Sequence, residues 1–360
     1  MKDLEKLRKN IDKLDSEILR LLSERANSAI EIGKIKKTRN LNCYSPEREK
    51  EVLENIIGQN RGPLTPDALK CIYREIMSAS RSLEEPLKVA CFGPFATFTH
   101  LAAIRHFGSS ARFNPVDSIK NVFEEVDAGR AVYVVVPIEN SNEGVVNYTL
   151  DMFMDFDLKI AGEIMLEISQ NLLSKIGDRA KIKRIYSFIH ATAQCKEWLE
   201  KNMPGIQIAD AASTANAAEM ASKDEDAAAI ASEAAAKLYN LKFVARDIQD
   251  RKHNFTRFLI IGKEYPKRTG KDKTSLMFSV KDRPGALYDI LAPFKKAKIN
   301  LTKIESRPSK RKAWEYIFFV DMQGHVDDKA AGKAIEGIKK DCLFLKILGS
   351  YRMVDDDKSS

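Results

Sequence analysis

The first 85 residues carry their apolar positions at helical spacing. Leu4, Leu7, Ile11, Leu14, Ile18 and Leu21 alternate three and four apart, as in one packed helical seam. The pattern continues to about Lys37 and predicts a helix roughly 55 Å long at 1.5 Å per residue. A helix of that length buries its stripe only against a comparable helix, such as one from a second chain. Ser45-Pro46, an N-cap followed by proline at the first helical position, starts a second helix. A third runs from about Thr65-Pro66 to Glu84.

The texture changes at Leu87. Short apolar runs such as LKVACFG and AVYVVVPIE end in polar turns and alternate with helical patterns as far as Ile261. That alternation predicts an α/β domain with largely parallel strands. GKEYPKRTGKDK reads as a hydrophilic linker. Beyond it, SLMFSV, PGALYDILAPFKKAK, NLTKIES, WEYIFFVDM, DKAAGKAIEGIKK and LFLKILG follow the order strand, helix, strand, strand, helix, strand, which is ferredoxin-like. The expected organisation is multi-domain: all-α over 1–85, α/β over 87–264 and α+β over 274–354.

Composition narrows the function classes. The chain has 360 residues, ordinary apolar and charged fractions, and a net charge of +8. Such a charge suits nucleic acid or small anionic substrates, but no basic tract with interleaved aromatics occurs, so nucleic acid is the weaker reading. The start, MKDLEKLRKNIDKLD, is charged throughout, so no secretory segment is expected, and no apolar run reaches membrane-spanning length. Cysteines 43, 71, 91, 195 and 342 are scattered, without a CxxC pair. The expectation is a cytoplasmic protein with reduced thiols and no structural zinc.

Past Leu21 the seam meets Arg25, Ser28, Ile32 and Ile35. An arginine on an apolar face is costly unless it meets an anion. Arg25 and Lys36 are eleven residues apart, about three turns, and share a face within reach of one small dianion. Arg48 and Glu49 lie on the first turn of the second helix. Taken singly, such cations are usually solvated or salt-bridged. Taken with LRKNIDKLDSEILRLLSERANSAIEIGKIK, YSPEREKEVL and IMSASRSLE, they make essentially all of 1–85 resemble the all-helical chorismate mutases. The resemblance implies an intertwined helical dimer and a site of Arg8, Arg25, Lys36, Arg48, Glu49, Ser80 and Glu84, with one arginine crossing from the partner. Arg8 suits the crossing: it lies seventeen residues before Arg25, roughly 25 Å along the same helix, and is rotated off its face.

The implied reaction, chorismate to prephenate, is pericyclic and needs no covalent step or obligatory proton transfer. The protein can hold a dicarboxylate in its reactive conformer and stabilise charge on the ether oxygen. Arg8, Arg25 and Arg48 would clamp carboxylates, Lys36 would face the ether oxygen, and Glu49 would hold the substrate hydroxyl. Ser45 stands where some members carry aspartate, and Glu84 where others carry glutamine. A glutamate donates a hydrogen bond only when protonated. Mutase activity is therefore expected to fall as rising pH ionises Glu84, and Glu84→Gln to flatten the profile.

Three polar constellations interrupt the α/β segment. GPFATFTHLAA at 93–103 is a turn running into a helix whose first N–H groups can receive an anion. PIENSNEGVVNYTLD at 137–151 ends a hydrophobic strand in Glu139, Asn140 and Ser141, at the kind of strand end where α/β proteins bind ligands. In HNFTRFLII, at 253–261, Thr256 and Arg257 sit between Phe255 and Phe258. Each alone could be capping or turn chemistry. With QC and STANAA, they make 87–262 resemble prephenate dehydratase, whose fold is two α/β lobes around a cleft, similar to periplasmic binding proteins. The resemblance implies cleft residues Thr97, Glu139, Asn140, Ser141, Ser187, Gln194, Ser213, Thr214, Glu219, Thr256 and Arg257. Dehydration removes carbon dioxide and hydroxide from prephenate, and the departing hydroxyl needs a proton or a strong hydrogen bond. Thr256 would be its donor. Arg257 would be either a carboxylate clamp or the ion pair that fixes the strand. SFIHATAQC at 187–195 departs from the family: Phe188 and Ile189 stand where histidine and proline are common, while Ser187, Gln194 and Cys195 remain.

RPGALYDIL and NLTKIESRP resemble the phenylalanine-sensing ACT domains attached to dehydratases. The implied effector site, between two ACT domains, comprises Gly285, Ala286, Leu287, Glu305, Ser306 and Arg307. The combined reading is a bifunctional chorismate mutase/prephenate dehydratase, at least a homodimer, inhibited by phenylalanine and needing no metal or organic cofactor, with no nucleic-acid or membrane partner. The rival readings are a non-catalytic amino-acid-responsive regulator and a dehydratase with an inactive mutase segment.

Overall fold

A computed structural model describes residues 2–39, 44–281, 283–308 and 316–354. Cys43, and Trp314 and Glu315 at the start of an expected strand, lie outside the described residues. The chain divides into two compact units, one of 1–88 with 104–112 and the other of 89–103 with 113–360. The first unit thus includes 104–112, which the sequence assigns to the second segment. Among the described residues, no helix is long and apolar enough to cross a membrane.

The first unit is built on α1 (Lys2–Thr38), α2 (Pro46–Gln59) and α3 (Pro66–Glu84). Ser45 and Thr65 cap α2 and α3 by accepting from the N–H groups of Arg48 and Ala68, and proline begins each helix. α3 packs on α1 and on α2. Among the described residues, nothing covers the N-terminal part of α1. Residues 3–24 are all exposed, and the expected seam residues Leu7, Ile11 and Ile18 are 62%, 55% and 53% accessible.

In the second unit, one lobe contains β1 (Lys88–Phe92), α4 (Phe98–Phe107), β2 (Arg112–Val116), α5 (Ile119–Asp127), β3 (Tyr133–Asn140), β4 (Gly144–Val145), α6 (Asn147–Asp155) and β5 (Lys159–Glu167), although the end of α4 groups with the first unit. The chain then builds another lobe from β6 (Asn171–Ser174), β7 (Arg184–Ser187), α7 (Ile189–Gln194), α8 (Lys196–Asn202), β8 (Gln207–Asp210), α9 (Thr214–Ser222), β9 (Ala227–Ala231), α10 (Glu233–Leu238) and β10 (Lys242–Ala245). It returns as β11 (Phe255–Gly262), which enters the first sheet in the order β2-β1-β3-β11-β5.

The largely parallel sheet expected from sequence is corrected here. β1 pairs parallel with β3, and β7 with β8 and β9, but β11 runs antiparallel to both β3 and β5. β6 is likewise antiparallel to β9 and β10. A βα repeat enforces parallel pairing only where a helix carries the chain back across the same sheet. β11 arrives from the other lobe and is free of that constraint.

The last segment forms β12 (Asp272–Val280), α11 (Ala286–Lys296), β13 (Leu301–Pro308), β14 (Tyr316–Gln323), α12 (Lys329–Lys339) and β15 (Cys342–Arg352). Its antiparallel sheet has the order β13-β14-β12-β15, as the ferredoxin-like reading requires. One face packs under α11 and α12. The other joins the core of the first lobe through Met277, Phe319, Leu348 and Tyr351. At that junction a Cβ on Gly349 would lie 2.2 Å from the carbonyl oxygen of Ile160, so only glycine lets β15 approach β5 this closely.

Candidate active sites

A cleft of about 690 Å³ is lined from both lobes of the second unit. Of the residues expected there, Thr97, Asn140, Gln194, Ser213, Thr214, Glu219 and Thr256 line it. Thr97 and Ser213 stand immediately before α4 and α9. Each hydroxyl accepts from a backbone N–H three residues on, at 3.4 and 3.0 Å, so two helix N-termini open on the cleft. The turn before Thr97 is held under strain. Ala96 adopts φ +64°, costly for a residue with a Cβ, and Ser232 of the second lobe donates to its carbonyl at 3.0 Å.

A hydrogen-bonded amide chain crosses the cleft. Asn140 Nδ2 donates to Thr256 Oγ1 at 2.9 Å and to Asn254 Oδ1 at 2.7 Å. Asn254 Nδ2 and Gln170 Nε2 both donate to Gln194 Oε1, at 3.0 and 3.1 Å. Gln194 in turn donates to Glu143, which also lies 2.7 Å from Nδ1 of His190. Because Thr256 Oγ1 accepts from Asn140, its own proton is available to a ligand. Gln170 is 3% accessible, and its Oε1 has no hydrogen-bond partner, leaving a buried acceptor at the cleft wall.

Glu139, Ser141, Ser187 and Arg257 do not line this cleft. For Glu139 and Arg257 the physical reason is the two-residue period of a strand, which sends neighbours to opposite faces. Thr256 and Phe258 face the cleft, while Arg257 turns the other way into a buried ionic cluster. There it pairs with Glu163 at 2.7 Å, Asp321 at 2.8 Å and Glu139 at 3.4 Å, and donates to the Tyr351 hydroxyl at 3.0 Å. Lys273 adds a second cation on Glu163, at 2.7 Å. Burial pushes the Asp321 carboxyl up, but Arg257, Lys273 and the Ser275 hydroxyl outweigh it and hold the group below its ordinary range. Of the two roles open for Arg257, the geometry is that of the ion pair fixing the strand. Glu139 turns the same way and meets Lys303 of β13. Ser141 clamps strand ends, donating to the carbonyl of His253 at 3.3 Å and accepting from the N–H of Phe255 at 3.0 Å. Ser187 is fully buried at the end of β7.

In the first unit, Arg25 donates to Ser80, and Lys36 Nζ lies 3.0 Å from Glu84 Oε2. Glu49 joins the same cluster: burial pushes its carboxyl up, while Arg81, Lys36 and Arg25 pull the other way and leave it raised. Arg81, which the sequence reading passed over, is buried at 5% accessibility. It donates to Glu49 and to the carbonyl of Phe107, with its guanidinium 4.8 Å from the Tyr44 ring centroid. Two expected members lie elsewhere. Arg48 points into solvent and pairs with Glu51 one turn along, at 2.9 Å. Arg8 lies on the exposed part of α1.

On the last segment, Gly285 adopts φ +80° at the start of α11. Gly285, Ala286 and Leu287 line a hollow of about 290 Å³ with Arg283, Tyr316 and Phe318. Glu305, Ser306 and Arg307 lie on β13 and do not line it. Arg307 instead reaches α6, pairing with Asp151 at 2.9 Å and donating to the carbonyl of Asn147.

Glu143, Gln170, His190 and Asn254 were not among the expected site residues. Glu143 and Asn254 lie inside the quoted motifs and His190 inside the departing SFIHATAQC, whereas nothing local marks Gln170.

Comparison with known proteins accounts for all three segments. Residues 7–85 match chorismate mutase type II, 89–266 match prephenate dehydratase, and 274–339 match the ACT domain. The bifunctional chorismate mutase/prephenate dehydratase of Aquifex aeolicus is 54% identical over 355 residues, covering 98% of each chain. The prephenate dehydratase of Methanocaldococcus jannaschii is 41% identical over 66% of this chain and 87% of its own. The crystal structure of a prephenate dehydratase in complex with L-Phe from Arthrobacter aurescens superposes with a TM-score of 0.70 at 34% identity, covering 75% of this chain and 91% of that one. Carrying all three domain types in order and matching the Aquifex aeolicus relative almost end to end, the chain belongs to the bifunctional chorismate mutase/prephenate dehydratase family.

Proposed function

We propose that the protein rearranges chorismate to prephenate and then decarboxylates and dehydrates prephenate to phenylpyruvate, under feedback inhibition by phenylalanine. The observation that carries the reading is the pair of separate polar sites, each chemically suited to one step. Around Arg25, Lys36, Ser80 and Glu84 the cations can hold a dicarboxylate and meet charge developing on an ether oxygen. Arg81 keeps Glu49 oriented to accept from the substrate hydroxyl. In the dehydratase cleft Thr256, fixed by Asn140, offers a hydrogen bond to the leaving hydroxyl. The helix N-termini beside Thr97 and Ser213 suit carboxylates.

The working division is mutase over 1–85, dehydratase over 87–264 and ACT over 274–354. The protein acts as a cytoplasmic homodimer or higher homo-oligomer. The exposed seam of α1 supports pairing, since each covered apolar side chain contributes about 1.5–3 kcal/mol. Arg8 then enters the partner's mutase site, and Arg48 swings from Glu51 onto substrate. Phenylalanine binds between two ACT domains, the Gly285–Leu287 turn of one facing Glu305–Arg307 of the other. Lys303 and Asp321 of the ACT sheet already touch Glu139 and Arg257, each one residue from the cleft residues Asn140 and Thr256, so an effector with unequal affinity for two positions of this sheet can bias the cleft.

The test is to supply purified protein with chorismate and no added cofactor, with and without phenylalanine. Prephenate and then phenylpyruvate are expected, with the second step suppressed by phenylalanine. Failure of both steps favours the amino-acid-responsive regulator. Loss of the first alone favours a dehydratase with an inactive mutase segment.

A further inference from the structure

We infer that His190, oriented by Glu143, is the general acid that protonates the departing hydroxyl in the dehydratase cleft. The inference rests on the dehydratase reading above. Loss of hydroxide from prephenate needs a proton donor at the carbon–oxygen bond. The titratable groups lining the cleft are Asp117, Glu143, Glu219 and His190, and no Lys or Arg lines it among the described residues. Carboxylates are ordinarily ionised near neutrality, and a threonine hydroxyl can donate a hydrogen bond but is far too weak an acid to surrender its proton. Histidine alone among these side chains changes charge between about pH 5 and 8.

The geometry places that histidine in the lining of the same cleft as Thr256. Glu143 Oε2 lies 2.7 Å from Nδ1, which fixes the ring with Nδ1–H toward the carboxylate and leaves Nε2 as the free ring nitrogen. The backbone N–H of Glu143 donates to Asn140 Oδ1 at 3.1 Å, and Asn140 Nδ2 donates to Thr256 Oγ1 at 2.9 Å. One asparagine therefore ties the His190–Glu143 pair to the threonine that meets the same leaving group. The Phe188 ring, 5.1 Å from the imidazole between centroids, backs it. Asp117 and Glu219 face the same cleft, and Glu219 is paired with Lys223 at 2.7 Å.

In the step, the ring carbon–oxygen bond breaks with its electron pair on oxygen, which takes the Nε2 proton and leaves as water. The carbon–carbon bond to the ring carboxylate breaks with its pair entering the ring, releasing carbon dioxide. The ring becomes aromatic, and neutral His190 recovers a proton from solvent through its 57% accessible side chain.

The experiment measures kcat and KM for prephenate against pH in the full chain, its His190→Asn variant and its Glu143→Gln variant, with mutase activity as the folding control. The unaltered protein should lose kcat toward alkaline pH. His190→Asn should lower kcat by about 10²–10⁴-fold with little change in KM, abolish that alkaline limb and recover activity with added imidazole. Glu143→Gln should lower kcat with little change in KM, because the ring loses the carboxylate that orients it. An unchanged kcat and limb in His190→Asn overturns the assignment, as does a raised KM with intact kcat, which would make His190 a carboxylate clamp. If the unaltered protein forms no phenylpyruvate, the dehydratase reading itself fails, a distinct result.

Discussion

The candidate mutase site and the candidate dehydratase cleft would each receive a small dianion, yet they are built oppositely. Arg25, Lys36 and Arg81 crowd the first, whereas neutral amides, hydroxyls and carboxylates line the second, with no Lys or Arg among its described residues. Reaction chemistry explains the contrast. A pericyclic rearrangement gains from fixed positive charge around a compressed dianion. An elimination that must shed a carboxylate as neutral carbon dioxide is not helped by pinning that carboxylate with a strong cation. Completeness differs as well. The cleft draws its amide chain from one chain, with only Gln170 Oε1 left open at its wall among the described residues, but the mutase helices leave residues 3–24 of α1 exposed, with Arg8 among them.

The comparison breaks first at the seam. Leu14→Glu combined with Ile18→Glu should abolish mutase activity on chorismate while dehydration of added prephenate is retained. Loss of neither activity would mean that the seam pairs with nothing. Next in size is Thr256→Ala, expected to cut dehydration about 10²–10⁴-fold while mutase activity and melting temperature stay unchanged. Survival of dehydration would make the threonine structural.

A stability effect comes third. Asp321→Asn leaves Arg257 short of a buried partner, so urea unfolding should register a loss of about 3–5 kcal/mol. Asp321 is held below its ordinary range, so its contribution is present above the unfolded-state value near pH 3.9 and disappears as pH falls through the lower folded-state value. The unaltered protein should therefore lose stability in acid below about pH 4, and the variant should lack that part of the slope. The smallest expected effect is Glu84→Gln, which replaces the carboxylate paired with Lys36 by an amide that can donate to an ether oxygen, so mutase activity on chorismate should be retained. Complete loss of that activity would make the carboxylate itself essential.

Much of this architecture is legible in local pattern. The spacing of Leu4 to Leu21, the caps at Ser45 and Thr65 with their prolines, and the βαββαβ order each depend on neighbours within a few residues. Strand alternation could also have separated Thr256 from Arg257, because adjacent strand residues cannot both face one cleft. The direction of β11 was not legible, since its partners β3 and β5 precede it by a whole intervening lobe. Arg81 was missed for a similar reason: its partner Glu49 lies 32 residues away on another helix.

By itself the sequence determined the segment types, the helix ends and the motif residues, because capping, periodicity and turn chemistry are short-range. Only the tertiary structure decided which charges are buried together. It turned Arg257 toward Asp321 and Glu163 rather than the substrate cleft, and it brought His190, Glu143, Asn140 and Thr256 onto one hydrogen-bonded path. The energy of a buried charge or amide depends on partners distant along the chain, and no local pattern encodes where folding brings those partners together.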